Sequence, residues 1–167
     1  EDSEGQEVNF KNAVIIMTSN LGSEAIIDKC HDAPSRPNAD ELVDVIRPHL
    51  QSHFKAALLG RMSIVPFLPL DKTEYGHIVR IKLDKIQSRV SDNYKAVLSY
   101  DEGLVDYVVS ACQEIESGAR VVDRILSQTL LPGLSAAVLD KMAAGEEFEK
   151  VQISVTSDGT FEYAFDF

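Results

Sequence analysis

The segment that places the tightest limit on this chain is Lys11 to Asn20. Its apolar run, Ala13-Val14-Ile15-Ile16-Met17, stops abruptly at Thr18-Ser19-Asn20. A run of about 4–8 apolar residues reads as a strand buried on both faces, the kind found inside a parallel sheet. The polar triplet then lies at the strand's carboxyl end, where open α/β sheets hold their ligands. Asn9 to Asn20 is therefore expected to be an interior strand that carries a polar side chain to a site. The chain offers no obvious earlier strands for that sheet.

The rest of the chain reads as follows. Glu1 to Gln6 is polar and expected to fray. Leu21-Gly22 turns into a short helix with Ala25, Ile26 and Ile27 on its apolar face. His31 to Asp40 contains Pro34, Pro37 and Asn38 and reads as a loop, with Asp40 placed to cap the next helix. Leu42, Val43, Ile46, Leu50 and Phe54 follow helical spacing, and this helix closes near Leu58-Leu59-Gly60. Pro48 inside the pattern predicts a kink or a second helix start. Ile64 to Leu68 is a second apolar run, expected as a short or edge strand because of Pro66.

Pro69-Leu70-Asp71 marks a boundary. Asp71 and Glu74 have capping-box spacing and open a long helix, with Tyr75, Ile78, Val79, Leu83, Ile86 and Val90 on one face. Lys95 to Tyr100 is a short strand. Asp101 starts a helix through Cys112, Gln113 to Ser117 connects, and Gly118-Ala119-Arg120 opens another. Pro132 is placed to open the last helix, which stops at Gly145. Val151, Ile153 and Val155 alternate, as do Phe161, Tyr163, Phe165 and Phe167, on either side of Asp158-Gly159: a β-hairpin. The predicted fold class is a partial α/β sheet over residues 1–68, followed over 69–167 by an α+β domain of about four helices and a small sheet with a C-terminal hairpin.

Composition narrows the function. With 16 basic against 27 acidic residues the net charge is −11, which repels phosphate backbones and argues against nucleic acid as a partner. No stretch reaches about 18 uninterrupted apolar residues, so no membrane insertion is expected. Cys30 and Cys112 lie far apart and read as free thiols of a cytosolic protein. No Gly-x-x-x-x-Gly-Lys-Ser/Thr or Gly-x-Gly-x-x-Gly occurs, nor a strand ending in paired acids. A nucleotide site needs backbone amides for phosphate and carboxylates for metal, and neither is supplied here. His49 and His53 share a helical face but have no H-E-x-x-H or C-x-x-C context, so they read as solvent-facing histidines. No Gly-x-Ser-x-Gly nucleophile elbow is present. Asn20, Arg61 and Arg120 remain as a set, ending the first strand, preceding the second, and opening a helix.

Those three residues sit in segments that resemble one family. Asn9-Phe10-Lys11-Asn12 with Val14 to Ser23 resembles the sensor-1 strand of Clp/ClpB-type AAA+ ATPases. Phe54-Lys55-Ala56-Ala57-Leu58-Leu59-Gly60-Arg61 is similar to their arginine-finger segment, and Glu116-Ser117-Gly118-Ala119-Arg120 to their sensor-2 motif. Order and spacing agree over essentially the whole chain. Leu59-Gly60-Arg61-Met62 and Glu116 to Arg120 with Leu130-Leu131-Pro132 are most similar to the ClpV branch, which disassembles the contractile sheath of bacterial type VI secretion systems. The ClpB branch has Leu-Asn-Arg-Ile-Asp at the finger, where this chain has Gly60 and Ser63.

The resemblance implies the end of a large AAA+ subdomain followed by the complete small subdomain, with phosphate loop, Mg²⁺-binding acids and pore loop upstream of Glu1. It implies catalytic roles for Asn20, which orients the attacking water, and for Arg61, which acts on the neighbouring subunit's nucleotide. Arg120 would bind the γ-phosphate and couple nucleotide state to a hinge near Pro69. The implied full-length protein is a cytoplasmic bacterial homohexamer that uses ATP and Mg²⁺ to thread a protein substrate such as secretion sheath protein. The isolated chain is expected to bind no ATP and to be inactive. A second reading is a non-catalytic interaction module that recruits a partner through its small sheet. Residues 1–68 begin in mid-sheet, so they are expected to rearrange, self-associate or pair with other material.

Overall fold

A computed structural model describes residues 9, 11–33, 35–113 and 119–167. The expected fraying of Glu1 to Gln6, the connection over 114–117 and the residues Glu116-Ser117-Gly118 lie outside them. The chain divides into two compact units, Glu1–Pro69 and Leu70–Phe167.

The first unit is built on two helices. In α1 (Ser23–Asp32) Ile26 is buried, and in α2 (Ala39–His53) Leu42, Ile46 and Leu50 are buried. These four residues form a small core, flanked by half-buried Leu21, Cys30, Phe54, Leu59, Ile64 and Leu68. Asn38, not Asp40, caps α2. Its side chain accepts from the Glu41 amide at 3.0 Å and donates to the Glu41 carboxylate at 3.1 Å. Both residue types can cap, and the choice falls to the one in extended backbone just before the first turn. Asp40 instead lies in that turn, where its charge suits the helix dipole. Pro48 neither ends α2 nor starts another helix. The break comes later, between His53 and a one-turn helix α3 (Ala56–Leu59).

Both expected strands of this unit lack a ladder. Lys11 to Asn20 and Ile64 to Leu68 are neither helix nor hydrogen-bonded strand. Val14 is 89% exposed and Phe67 83%. The physical reason is that a strand is satisfied only by a neighbouring strand. The apolar pattern records the face a side chain prefers, not whether a partner backbone lies in the same chain. Around the second run the strand signature survives in the side chains. Met62, Ile64, Pro66 and Leu68 are half-buried, while Ser63, Val65 and Phe67 are exposed.

The second unit holds the larger core. Asp71 and Glu74 close the expected capping box, at 2.8 Å and 2.9 Å, and start α4 (Lys72–Tyr94). Tyr75, Val79, Leu83, Ile86 and Val90 line its buried face. Lys95, in left-handed conformation (φ 57°), turns the chain into β1 (Val97–Tyr100). The Asp101 carboxylate accepts from the Leu104 amide at 2.9 Å and begins α5 (Glu102–Gln113). A helical stretch then runs from α6 (Arg120–Ile125) through a π turn (Leu126–Leu130) into α7 (Leu131–Ala143). Pro132 lies in the first turn of α7, as expected, and the π turn joins that helix to α6 without a break. The Gly145 amide bonds to the Met142 carbonyl and the Glu146 amide to that of Lys141, closing α7 at the expected glycine.

The sheet has order β1-β2-β3, with β2 spanning Lys150–Val155 and β3 Phe161–Asp166. β1 pairs parallel with β2, Leu98 opposite Val151, and β2 pairs antiparallel with β3, Ile153 opposite Tyr163. Val151, Ile153, Leu98 and Phe161 join α4, α5 and the α6–α7 stretch in one core. In the hairpin turn, hydrogen bonds from Thr156 and Thr160 hold the Asp158 carboxyl below the usual carboxylate range. Leu83 is fully buried at the centre of the α4 face. Leu83→Ala is expected to destabilise the second unit by about 2–5 kcal/mol, the range for a leucine cavity in a close-packed core. Urea denaturation followed by helical circular dichroism checks this.

Candidate functional site

Asn20 stands at the entry to α1, where its backbone is held more firmly than its side chain. Its carbonyl accepts from the Ser23 amide at 3.2 Å and from the Ser23 hydroxyl at 2.7 Å. The Ser19 hydroxyl accepts from the Leu21 amide at 3.1 Å. Gly22 follows at φ 78°, a left-handed position that a side chain would strain. A Cβ there would also meet Ile46 Cγ2 at 2.9 Å and Cβ at 3.0 Å. The glycine thus lets the backbone beside Asn20 sit directly on α2, while Leu21 packs against the small core. The Asn20 side chain is exposed.

Arg61 emerges from the end of α3. The amides of Gly60, Arg61 and Met62 bond back to the carbonyls of Ala56, Leu58 and Leu59. On either side, Leu59 and Ile64 lean on the same small core that receives Leu21. The structure therefore gathers the flanks of Asn20 and Arg61 onto one apolar cluster. No hydrogen bond joins the two side chains among the described residues.

Arg120 belongs to the second unit and is the first residue of α6. It is exposed, whereas Val121 and Val122 directly after it are buried. Asp123, one turn on, pairs with Lys82 of α4 at 2.6 Å. Neither Arg61 nor Arg120 enters an ion pair among the described residues. A free guanidinium suits a terminal phosphate, with donors in a planar fork. No phosphate-loop motif and no strand ending in paired acids occurs in the sequence.

No group of three or more metal-ligating side chains occurs among the described residues. His53 Nδ1 lies 2.9 Å from the Ser52 hydroxyl and 3.2 Å from the His49 carbonyl, a local helix-end arrangement. Cys30 and Cys112 are free thiols, and burial pushes the Cys112 thiol up. No helix among the described residues is long and apolar enough to cross a membrane. Sequence reasoning reads Gly22 as the turn into α1 but passes over Ser19 and Ser23, whose hydroxyls fix the backbone at Asn20. The signal was the Thr-Ser-Asn-Leu-Gly-Ser cluster itself, rich in residues that bond to nearby backbone.

Comparison with known proteins gives the following. Residues 70–153 match the family described as the C-terminal, D2-small domain of ClpB protein. Residues 1–65 match the AAA domain of the Cdc48 subfamily. The chain is 39% identical to the AAA+ ATPase ClpV1 of Pseudomonas aeruginosa over 165 residues, 99% of this chain and 18% of that protein. It is 37% identical to the chaperone protein ClpB of Yersinia enterocolitica over 139 residues, 83% of this chain and 16% of that protein. The chain thus spans under a fifth of the length of these relatives. Among solved structures, Hsp104 in its S. cerevisiae casein complex shares the fold, with a TM-score of 0.66 at 23% identity over 90% of this chain and 25% of that one.

Gly22→Ala is expected to loosen the first unit alone, by at least about 1–2 kcal/mol for the left-handed backbone. Amide exchange should quicken across α1 and α2 and stay unchanged across α4 and the sheet.

Proposed function

The chain belongs to the Clp/ClpB-type AAA+ ATPases, as the C-terminal region of their second AAA+ module, and from that premise we propose that it supplies the γ-phosphate-reading residues of a ClpV-like, ring-forming disassembly ATPase. Residues 1–68 are the end of the large AAA+ subdomain and 69–167 the small subdomain. The full-length protein is a cytoplasmic bacterial homohexamer. It binds ATP with Mg²⁺ and threads a protein substrate, the sheath of a type VI secretion system.

ATP supplies the phosphoryl group whose charge grows in the transition state. Asn20 holds the attacking water in line and offers a neutral donor to that charge. Arg61 reaches the nucleotide of the adjacent subunit, which is why a ring is required. Arg120 binds the γ-phosphate from the small subdomain, so that the small subdomain responds to its loss. The observation that carries this reading is the ordered set of three segments, ending in Asn20, Arg61 and Arg120, within a 165-residue match to a ClpV relative. Gly60 at the finger, in place of the ClpB branch's Asn, favours ClpV over ClpB. Recruitment through the small sheet is the weaker reading, because the outer strand β3 carries Glu162 and Asp166, charges that blunt edge pairing.

The isolated chain lacks the phosphate loop, so calorimetric titration with ATP and Mg²⁺ is expected to give no micromolar binding; micromolar heat would place a phosphate site within these residues. In the full-length protein, Arg61→Ala is expected to keep nucleotide affinity nearly intact and to lower turnover by about 10³-fold or more, the scale of an arginine finger. Wild-type turnover in that variant would remove Arg61 from the mechanism.

A further inference from the structure

The stretch that carries Arg120 contains a widened turn with a tyrosine from the sheet seated against it. Pro132 has no N–H, and its ring crowds the carbonyl four residues back, that of Gln128. The helix widens there: the Leu131 amide bonds to the Leu126 carbonyl, five residues back, over the π turn Leu126–Leu130. Tyr163 of β3 reaches this turn from across the core. Its hydroxyl donates to the Leu130 carbonyl at 2.8 Å, a contact between residues 33 apart in sequence. Burial pushes the Tyr163 phenol up, against which the Leu134 amide, donating to the Tyr163 hydroxyl oxygen, acts in the opposite sense. Gly133 makes the approach possible. A Cβ at 133 would overlap the Tyr163 hydroxyl and lie 2.9 Å from Cζ.

The π turn sets how α6 is rotated relative to α7. One residue of extra winding changes that phase by about 100° compared with an unbroken α-helix. With the turn in place, Val121 and Val122 face the core before it and Leu134 and Val138 after it, and Arg120 is left exposed. If the turn relaxed to α geometry, one of those pairs would rotate off the core, or Arg120 would change direction.

We infer that Tyr163 is a positioning residue for Arg120: by bonding the Leu130 carbonyl it locks the π turn that aims Arg120 at the γ-phosphate. This rests on the reading of Arg120 as a nucleotide-binding residue. Tyr163 acts through the phase of α6.

The test is a double-mutant cycle in the full-length protein, read as affinity for a fluorescent ATP analogue, with thermal unfolding recorded beside it. Tyr163→Phe keeps the ring and removes one hydrogen bond, so affinity is expected to fall by about 2–10-fold. In an Arg120→Ala background the same change is expected to have no further effect. Pro132→Ala restores a helical donor and keeps every buried side chain; it serves as the second variant and is expected to show the same coupling to Arg120. An equal loss in both backgrounds, or no loss in Tyr163→Phe beside intact Arg120, would overturn the positioning role while leaving Arg120 as a binding residue. Wild-type affinity in Arg120→Ala itself would overturn the reading of Arg120 and the inference with it.

Discussion

Everything after Pro69 depends on the burial of one face of α4. Tyr75, Val79, Leu83, Ile86 and Val90 repeat at helical spacing over the length of a 23-residue helix. A helix that long is fixed in orientation only if its apolar stripe is covered. Here the cover comes from α5, the α6–α7 stretch and the face of the sheet that carries Leu98, Val151 and Ile153. Because β2 lies between a parallel and an antiparallel neighbour, the hairpin and the distant β1 are locked into one layer by the same strand. Lys82, half-buried on α4, adds the ion pair to Asp123 that ties α6 to it. The first turn of α6, which Arg120 opens, is thus tied to α4.

The first unit works under the opposite condition. Its core is four buried side chains on two helices, and the segments that bear Asn20 and Arg61 reach that core through Leu21 on one side and through Phe54, Leu59 and Ile64 on the other. Gly22 is decisive because so little else anchors the segment. With a side chain there, the backbone could not lie against Ile46, and Asn20 would lose its fixed approach to α1.

What was legible in the sequence follows from this contrast. The capping box at Asp71 and Glu74, the α4 stripe and the hairpin at Asp158-Gly159 could be read because the local signal and the tertiary demand coincide. The strands at Lys11–Asn20 and Ile64–Leu68 could be read as apolar runs but not as ladders, since a ladder is a property of two segments. Pro132 was legible as lying at the start of α7, but the widened turn that joins α7 to α6 was not. Proline at a helix start and proline beside a widened turn leave the same local signal, and the core residues Leu126, Leu130 and Leu134 on both sides of it decide for continuity. Asn20, Arg61 and Arg120 were legible only through the family pattern. Singly, an asparagine after an apolar run and two exposed arginines say nothing, and Arg47 and Arg89 are equally without ion pairs among the described residues. Tyr163 gave no signal, because an alternating strand makes every inward aromatic look alike and its bond to Leu130 crosses 33 residues.

The two apolar runs of the first unit differ in a way that bears on how the site is assembled. Residues 62–68 already show the side-chain alternation of a strand, one face resting on the small core, although no ladder holds the backbone. Lys11 to Asn20 shows none; every residue in it is exposed. Side-chain docking can therefore preset a strand's facing before any backbone pairing, but only where a helix lies beneath it. For residues 62–68 the facing is fixed within this chain, and pairing would add hydrogen bonds to an orientation that exists. For Lys11 to Asn20 the facing itself depends on a neighbour, since a shift of one residue would exchange Ile15 for Ile16 on either face at no cost in apolar area. Only the turn Ser19-Asn20-Leu21-Gly22, closed by short-range hydrogen bonds and seated on Ile46, resists such a slip. Asn20 thus keeps its place at the entry to α1 in a segment whose remaining residues are exposed and form no ladder among the described residues.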